Sequence, residues 1–404
     1  MRLRPKYVLG LIATLATAVA MHAAPQLPPA PQIAGDSIRV SLITFAPGAD
    51  TYELFGHSEL RVISRDLATP SNPCGDWFIN YGVFDFTTPG FFWRFARGES
   101  DYLCMAVPPH LVTIDNEGRK MTEQVLNLSH DEARALCDYV VWNSRPENRE
   151  YRYRYFSDNC ATRPRDIIER AVGDSLRYGD NLMGQVTFRD VMTHYTANYP
   201  WEQFGIDMIL GAPCDTIINV RQQMFVPMLL AQAMATATRD SIGKQTPLVK
   251  DTIVLLDGPE EGTVLPPTPW YLSPMAAMLA VLVITLMMCW RDWRRRRLTR
   301  WFDTLFYVAL AVMGGVVCFV AFFSSHEATW PNYNVLWLNP LWLALAILVW
   351  RDKWSRARRY VALALTALTL TTMAIWLARL QVANAAFWPL AAATLTRTIT
   401  TYKL

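Results

Sequence analysis

The chain has 404 residues, 52% of them hydrophobic and 18% charged, with a formal net charge of +3. The small basic excess sits in two short loops rather than in a stripe with base-stacking spacing, which leaves nucleic acid out of the expected partners. There is no internal repeat, and low complexity is confined to PQLPPAPQ (25–32).

Arg2, Arg4 and Lys6 precede an apolar run from Val8 to Ala20, and small residues Ala20, Ala23 and Ala24 follow, so residues 1–24 read as a secretory signal peptide. No cysteine lies within cleavage range, so the chain is not expected to be a lipoprotein itself. Residues 25–242 then form an exported domain of ordinary size. SIRVSLITFAPG, HSELRVISRD and DWFINYGVFDF predict three strands before residue 90, and DYLCMAVPP predicts a fourth. Helical stretches follow: MTEQVLNLSHDEARALCDYVVWNSR, with a capping box at Ser129 and Glu132, and NCATRPRDIIERAVGD. Strands followed by helices predict the α+β class. Residues 243–270 read as a linker or a last edge segment.

From Trp270 the composition changes. Apolar runs at 271–290, 302–323, 334–350 and 360–377, with a weaker threonine-rich one at 383–396, predict a helical membrane domain over 271–404 with about five spans. RDWRRRRLTR (291–300) and RDKWSRARR (351–359) belong on the cytoplasmic side, and SSHEATWPNYN (324–334) on the outer side with the exported domain.

Two of the seven cysteines, Cys289 and Cys318, fall in membrane spans; Cys74, Cys104, Cys137, Cys160 and Cys214 fall in the exported domain. An odd number leaves at least one thiol outside any intrachain disulfide. Cys137 reads as core, Cys74 and Cys104 as a possible pair, and Cys214 as a turn residue. Cys160 alone follows a run of helix-capping residues, Ser157, Asp158 and Asn159, with Pro164 placed for a first turn. At such a helix start the unpaired amides and the dipole favour a thiolate and an oxyanion. The bland reading of an exported cysteine there is a structural thiol or half a disulfide. A thiolate nucleophile needs a base, and the candidates are His57, His110, His130 and His194. His57 is the best placed, since it follows Gly56 and opens a strand. Asn80, Tyr81 or Asp85 could orient its ring. His326 in the outer loop reads as an interfacial residue. Zinc-ligand spacing, GxSxG and a Gly-rich phosphate loop are all missing from the sequence, so no metal or cofactor is expected.

FGHSELRV, INYGVFDFTTPGFFWRFARGESDYL and YRYFSDNCATRPRD, in that order, with WPNYNVLWLNPLWL in the membrane half, resemble the Bacteroidetes lipoprotein N-acyltransferase (Lnb) family over nearly the whole chain. The His-before-Cys order also resembles permuted papain-like (NlpC/P60-type) domains such as lecithin:retinol acyltransferase. The resemblance implies a permuted papain-like periplasmic domain tethered to the bacterial inner membrane, with His57 and Cys160 as the catalytic pair. It further implies transfer of an acyl chain from a phospholipid, through a cysteine thioester, to the N-terminal amine of a diacylated lipoprotein. The orienting residue departs from the permuted acyltransferases, which commonly use a second histidine where this chain offers Asn80. The rival readings are a cysteine amidase or peptidase acting on cell-wall peptide, and a non-catalytic membrane scaffold with Cys160 in a disulfide.

Overall fold

Alternating apolar and polar side chains give three neighbouring strands near the start of the chain: β1 (Ile38–Phe45), β2 (His57–Ser64) and β3 (Asp76–Val83). These come from a computed structural model that describes residues 27–33, 36–85, 87–116, 118–180, 182–241, 244–259 and 267–404; the signal-peptide reading of residues 1–24 lies outside the described residues. Four more strands, β4 (Asp101–Val107), β5 (Met121–Leu126), β6 (Glu150–Arg152) and β7 (Val249–Leu256), complete a sheet of order β7-β5-β1-β2-β3-β4-β6. Every neighbouring pair is antiparallel.

Two sequence expectations are corrected here. Residues 121–126, grouped above with a helix, are a strand, because the segment lies between β1 and β7 and buries Met121, Glu123, Gln124, Val125 and Leu126. The helix starts only at His130, where the expected capping box forms with Ser129 N–H donating to Glu132 at 2.6 Å. The strands-then-helices order also gives way, since β6 and β7 join the sheet after helices have intervened.

One face of the sheet presents Val40, Leu42, Leu60, Val62 and Ile79 to the helices His130–Asn143, Thr162–Val172 and Pro227–Thr236. Each such fully buried side chain contributes roughly 1.5–3 kcal/mol. The other face carries a file of ionisable residues along β2. Arg61, 2% exposed, donates to both Asp76 oxygens at 2.9 and 2.6 Å and to Glu123 at 3.0 Å. With every charge partnered the desolvation cost is offset, and β2 is locked in register against β3 and β5.

All five apolar runs near the C-terminus are helical. Pro274–Arg295, Arg300–Phe323 and Asp352–Leu377 are long and apolar enough to cross a membrane. The other two, Asn334–Leu348 and the 17-residue Phe387–Lys403, are shorter, so length alone supports three spans among the described residues, not five. Trp337, Trp342, Trp376, Tyr307 and Phe387 form the core of this bundle. At its basic end, Arg397 is fully buried and donates to Asp292 at 2.7 Å and to Asp303.

The helix Pro200–Ile209 joins the two domains. Phe204 inserts into the membrane core, 5.1 Å from the Phe387 ring. Asp207 accepts from Arg189 at 2.9 Å and from Asn384 at 2.8 Å, and Asn332 donates to the Met208 carbonyl at 3.0 Å. Gly211 is required here, because a Cβ would stand 2.2 Å from the Pro331 carbonyl oxygen. The 324–334 loop thus lies against the exported domain, on the side opposite the basic segments, as the charge pattern predicts.

Arg397→Met leaves two buried carboxylates without a cation and should destabilise the protein by about 3–5 kcal/mol. The triple variant Arg397→Met/Asp292→Asn/Asp303→Asn should recover most of that loss. Thermal unfolding in detergent checks both, and an Arg397→Met melt equal to wild type would contradict the assignment.

Candidate active site

Gly56 has φ 79°, a conformation that favours glycine, and it turns the chain into β2 so that His57 is the first residue of the strand. Side chains on one face of a strand recur every second residue, so His57 and Glu59 point the same way, and the pairing of Glu59 with Asn80 puts all three together. His57 Nε2 donates to Asn80 Oδ1 at 3.1 Å and stands 3.6 Å from Glu59 Oε1. Asn80 Oδ1 also accepts from the Gly82 amide at 2.7 Å, which fixes the carboxamide. Gly82 leaves room for the ring: a Cβ there would sit 2.6 Å from His57 Cε1.

The other two candidates for the orienting role point elsewhere. Tyr81 alternates to the opposite face, is fully buried and donates to Asn143 at 3.1 Å. Asp85 lies past the end of β3, where its carboxylate accepts from Thr87 N and Oγ1 at 2.8 and 2.7 Å; these bonds hold it below the usual carboxylate range.

Cys160 stands two residues before the helix Thr162–Val172, next to its N-terminus as the capping signals predict. Asn159 builds the turn. It is 3% exposed, and its Nδ2 donates to the Tyr155 and Phe225 carbonyls at 2.7 and 2.9 Å. Its Oδ1 accepts from the Ala161 and Thr162 amides, both at 2.8 Å. This last contact corrects the sequence expectation that the first helical amides wait for an oxyanion, because Asn159 already occupies two of them. Arg163 clamps the turn from below, donating to Asp158 at 2.6 and 2.9 Å while its guanidinium lies 3.5 Å from the Tyr151 ring centre.

Cys160 lies close enough to His57 for its charge to act on the ring. Burial by itself would lower the pKa of His57, but the negative charge and hydrogen bond of Cys160, with Glu59 adding to both, lift it from 6.5 to about 10. The ring is therefore held in its charged form at neutral pH. Tyr102 is pushed up to about 12, and Tyr151, Tyr153 and Tyr155 well above their usual value, by burial and then by the Cys160 charge. These phenols stay neutral around the sulfur. All seven cysteines are free, so Cys74 and Cys104, left open above as a pair, are separate thiols, and Cys137 is core. His110, His130 and His194 sit on other helices, at Pro109–Asp115, His130–Asn143 and Phe188–Tyr195.

Two residues of the site were not singled out from the sequence. Glu59 carried a usable signal, since it lies two positions after His57 on a strand. Glu327 carried none. It reaches from the membrane domain's outer loop to the nucleophile turn, accepting from the Phe156 and Ser157 amides at 3.0 and 3.2 Å and from the Ser157 hydroxyl.

Fold and site together define a two-domain membrane protein whose exported domain, of mixed helix and antiparallel sheet, presents a thiol–imidazole pair beside the outer loop of a helical bundle. Two family models match the chain, the Lnb N-terminal periplasmic domain over residues 29–194 and the Lnb transmembrane domain over residues 267–404. The chain belongs to the Lnb family, with a periplasmic N-terminal domain and a membrane-embedded C-terminal one. No curated protein and no solved structure matches it.

The raised pKa of His57 makes its charge a stabilising term that is fully present below pH 6.5 and lost as pH rises through about 10. NMR titration should find the ring charged at pH 8 in the wild type, with a lower pKa in Cys160→Ala. Gly82→Ala should displace the ring from the sulfur without unfolding the domain. Its His57 pKa should fall, and iodoacetamide should modify Cys160 more slowly at pH 7. A folded Gly82→Ala variant with wild-type titration would contradict this geometry.

Proposed function

We propose that the protein is a membrane-bound N-acyltransferase with Cys160 as nucleophile, His57 as proton carrier and Asn80 as the group that orients His57. The observation that carries this reading is the convergence of His57, fixed by Asn80 at 3.1 Å, with Cys160 at the start of the helix Thr162–Val172, where the Cys160 charge lifts the His57 pKa to about 10. A thiol beside an imidazole that a second polar group holds in place is the arrangement that nucleophilic attack on an ester requires.

In the first half-reaction the thiolate attacks the ester carbonyl of a phospholipid. The tetrahedral oxyanion collapses by breaking the C–O bond, and the departing lysophospholipid alkoxide takes the proton from His57, leaving a neutral imidazole and an acyl thioester on Cys160. In the second, the N-terminal α-amine of a diacylated lipoprotein attacks the thioester and His57 accepts the amine proton. The C–S bond breaks, and the products are an amide and the regenerated thiolate–imidazolium pair. With the Ala161 and Thr162 amides occupied, the charged His57 ring and the positive end of the helix Thr162–Val172 stabilise the oxyanion. Glu59 holds the imidazolium between turnovers.

The reading extends to the architecture. The domain is a permuted papain-like unit that begins at residue 25 after removal of a signal peptide and includes the edge strand Val249–Leu256, and it sits on the periplasmic side of the inner membrane. All five C-terminal helices cross or nearly cross the bilayer. Tethering confines the catalyst to the layer that holds both lipid substrates, a purpose that a cell-wall amidase would not have.

Cys160→Ala and His57→Ala should each abolish N-acylation while the protein folds and inserts, with the histidine accounting for at least ~10²–10⁴-fold. Asn80→Ala should cost less, because it acts through the ring's orientation. Mass spectrometry of lipoprotein N-termini from cells depending on this gene should find triacylated termini with wild type and diacylated ones with the two variants. Triacylated product from well-expressed Cys160→Ala would overturn the reading.

A further inference from the structure

Between β3 and β4 the stretch GFFWRFARG (90–98) folds into a short helix, Phe91–Ala96, to which neither the fold nor the chemistry above gives a task. Phe91 is buried and stacks on Phe84 and Phe95. The outer side is the reverse of what a water-facing domain presents: Phe92 is 72% exposed, Trp93 58% and Phe95 48%. Three large rings on one short helix form a patch of the kind that marks an interaction surface.

The position of this helix identifies what covers it. The Trp93 ring lies 5.3 Å from that of Phe319 on the membrane helix Arg300–Phe323. Phe319 precedes the helix end by four residues, about 6 Å along the axis, so Trp93 reaches roughly one turn below the outer end of that span. The backbone is pinned at this depth, with the Ser325 amide donating to the Arg97 carbonyl at 2.8 Å and the Ser325 hydroxyl to Gly98 at 2.9 Å. Trp201, Trp270, Tyr271 and Trp330, all exposed, stand at the same outer end of the bundle. Aromatic belts of this kind mark the level where acyl chains meet headgroups. Inward from Phe91, rings follow one another at contact distance: Phe84 at 5.8 Å, then Tyr102 at 5.0 Å, then Tyr153 at 4.2 Å. Tyr153 directly precedes Arg154, whose bridge to Asp158 closes the turn that carries Cys160.

We propose that the helix Phe91–Ala96 is a lip inserted into the outer leaflet, that phospholipid acyl chains cover its exposed face, and that the acyl donor reaches Cys160 along Phe91, Phe84 and Tyr102. The lip rests on geometry alone, whereas its role as donor entrance rests on the acyltransferase reading. The arrangement lets an ester near the headgroup level meet the thiol without lifting its chain into water.

The test uses the full-length protein in vesicles of phosphatidylethanolamine and phosphatidylglycerol. A photoreactive benzoylphenylalanine in place of Trp93 should yield a phospholipid adduct on irradiation. The same probe in place of exposed Cys74, at the far end of β2 and β3, should yield none. Trp93→Asp should slow acylation of Cys160 by vesicle phospholipid by roughly tenfold, with alkylation by iodoacetamide and acylation by a soluble short-chain thioester unchanged. No adduct at position 93 under conditions where the probe in place of Phe323 gives one would overturn the lip. Equal slowing with vesicle and soluble donors would overturn its role as an entrance. A lipid adduct at position 93 together with a Cys160 that never gains an acyl group would leave the lip standing and sink the acyltransferase reading instead.

Discussion

The proposed chemistry depends on one juxtaposition, that of Cys160 with His57, and much of the exported domain serves to hold its two halves. His57 is fixed by strand pairing: β2 is central in the sheet, its register is locked by Arg61 against Asp76 and Glu123, and Asn80 arrives from β3 at the position that reaches Nε2. Cys160 is fixed by a turn with almost no freedom, in which every side-chain polar atom of Asn159 is used. A charged ring near the protein interior needs groups that can carry the opposite charge beside it, and Cys160 and Glu59 are the two that raise the His57 pKa.

The same pair depends on the membrane domain. Glu327 binds the backbone of the nucleophile turn, and Asp207, Asn332 and Asn384 tie the helix Pro200–Ile209 to the bundle through buried hydrogen bonds. Buried polar networks of this kind lose much when one partner leaves. The exported domain is therefore seated on the bundle in one orientation rather than swinging on a tether. The WPNYN stretch, which has no chemistry to perform, is explained by this seating.

What was legible in the sequence was local. Period-two alternation marked β1 to β4, and the capping residues before Cys160, with Pro164 after it, marked the helix start. Met121–Leu126 was misread because its residue types suit a helix; only pairing with β1 and β7 on both sides makes it a strand, and that pairing is tertiary. The choice among Asn80, Tyr81 and Asp85 stayed open for a related reason. A one-residue difference on a strand reverses the face, so register had to be known before Tyr81 could be assigned to the core and Asn80 to the ring. Glu327 lies far along the chain in a loop read only for its sidedness, and no local pattern announces a contact made by domain docking.

The central claim is that Cys160 carries the acyl group. Purified full-length protein in phospholipid vesicles, without any lipoprotein acceptor, offers the most direct test by intact-mass and peptide mass spectrometry. The account predicts that the Cys160 peptide gains the mass of one fatty acyl chain, that neutral hydroxylamine removes it, and that adding a diacylated lipoprotein discharges it. An unmodified Cys160 in a preparation that acylates lipoproteins when they are supplied would contradict the account.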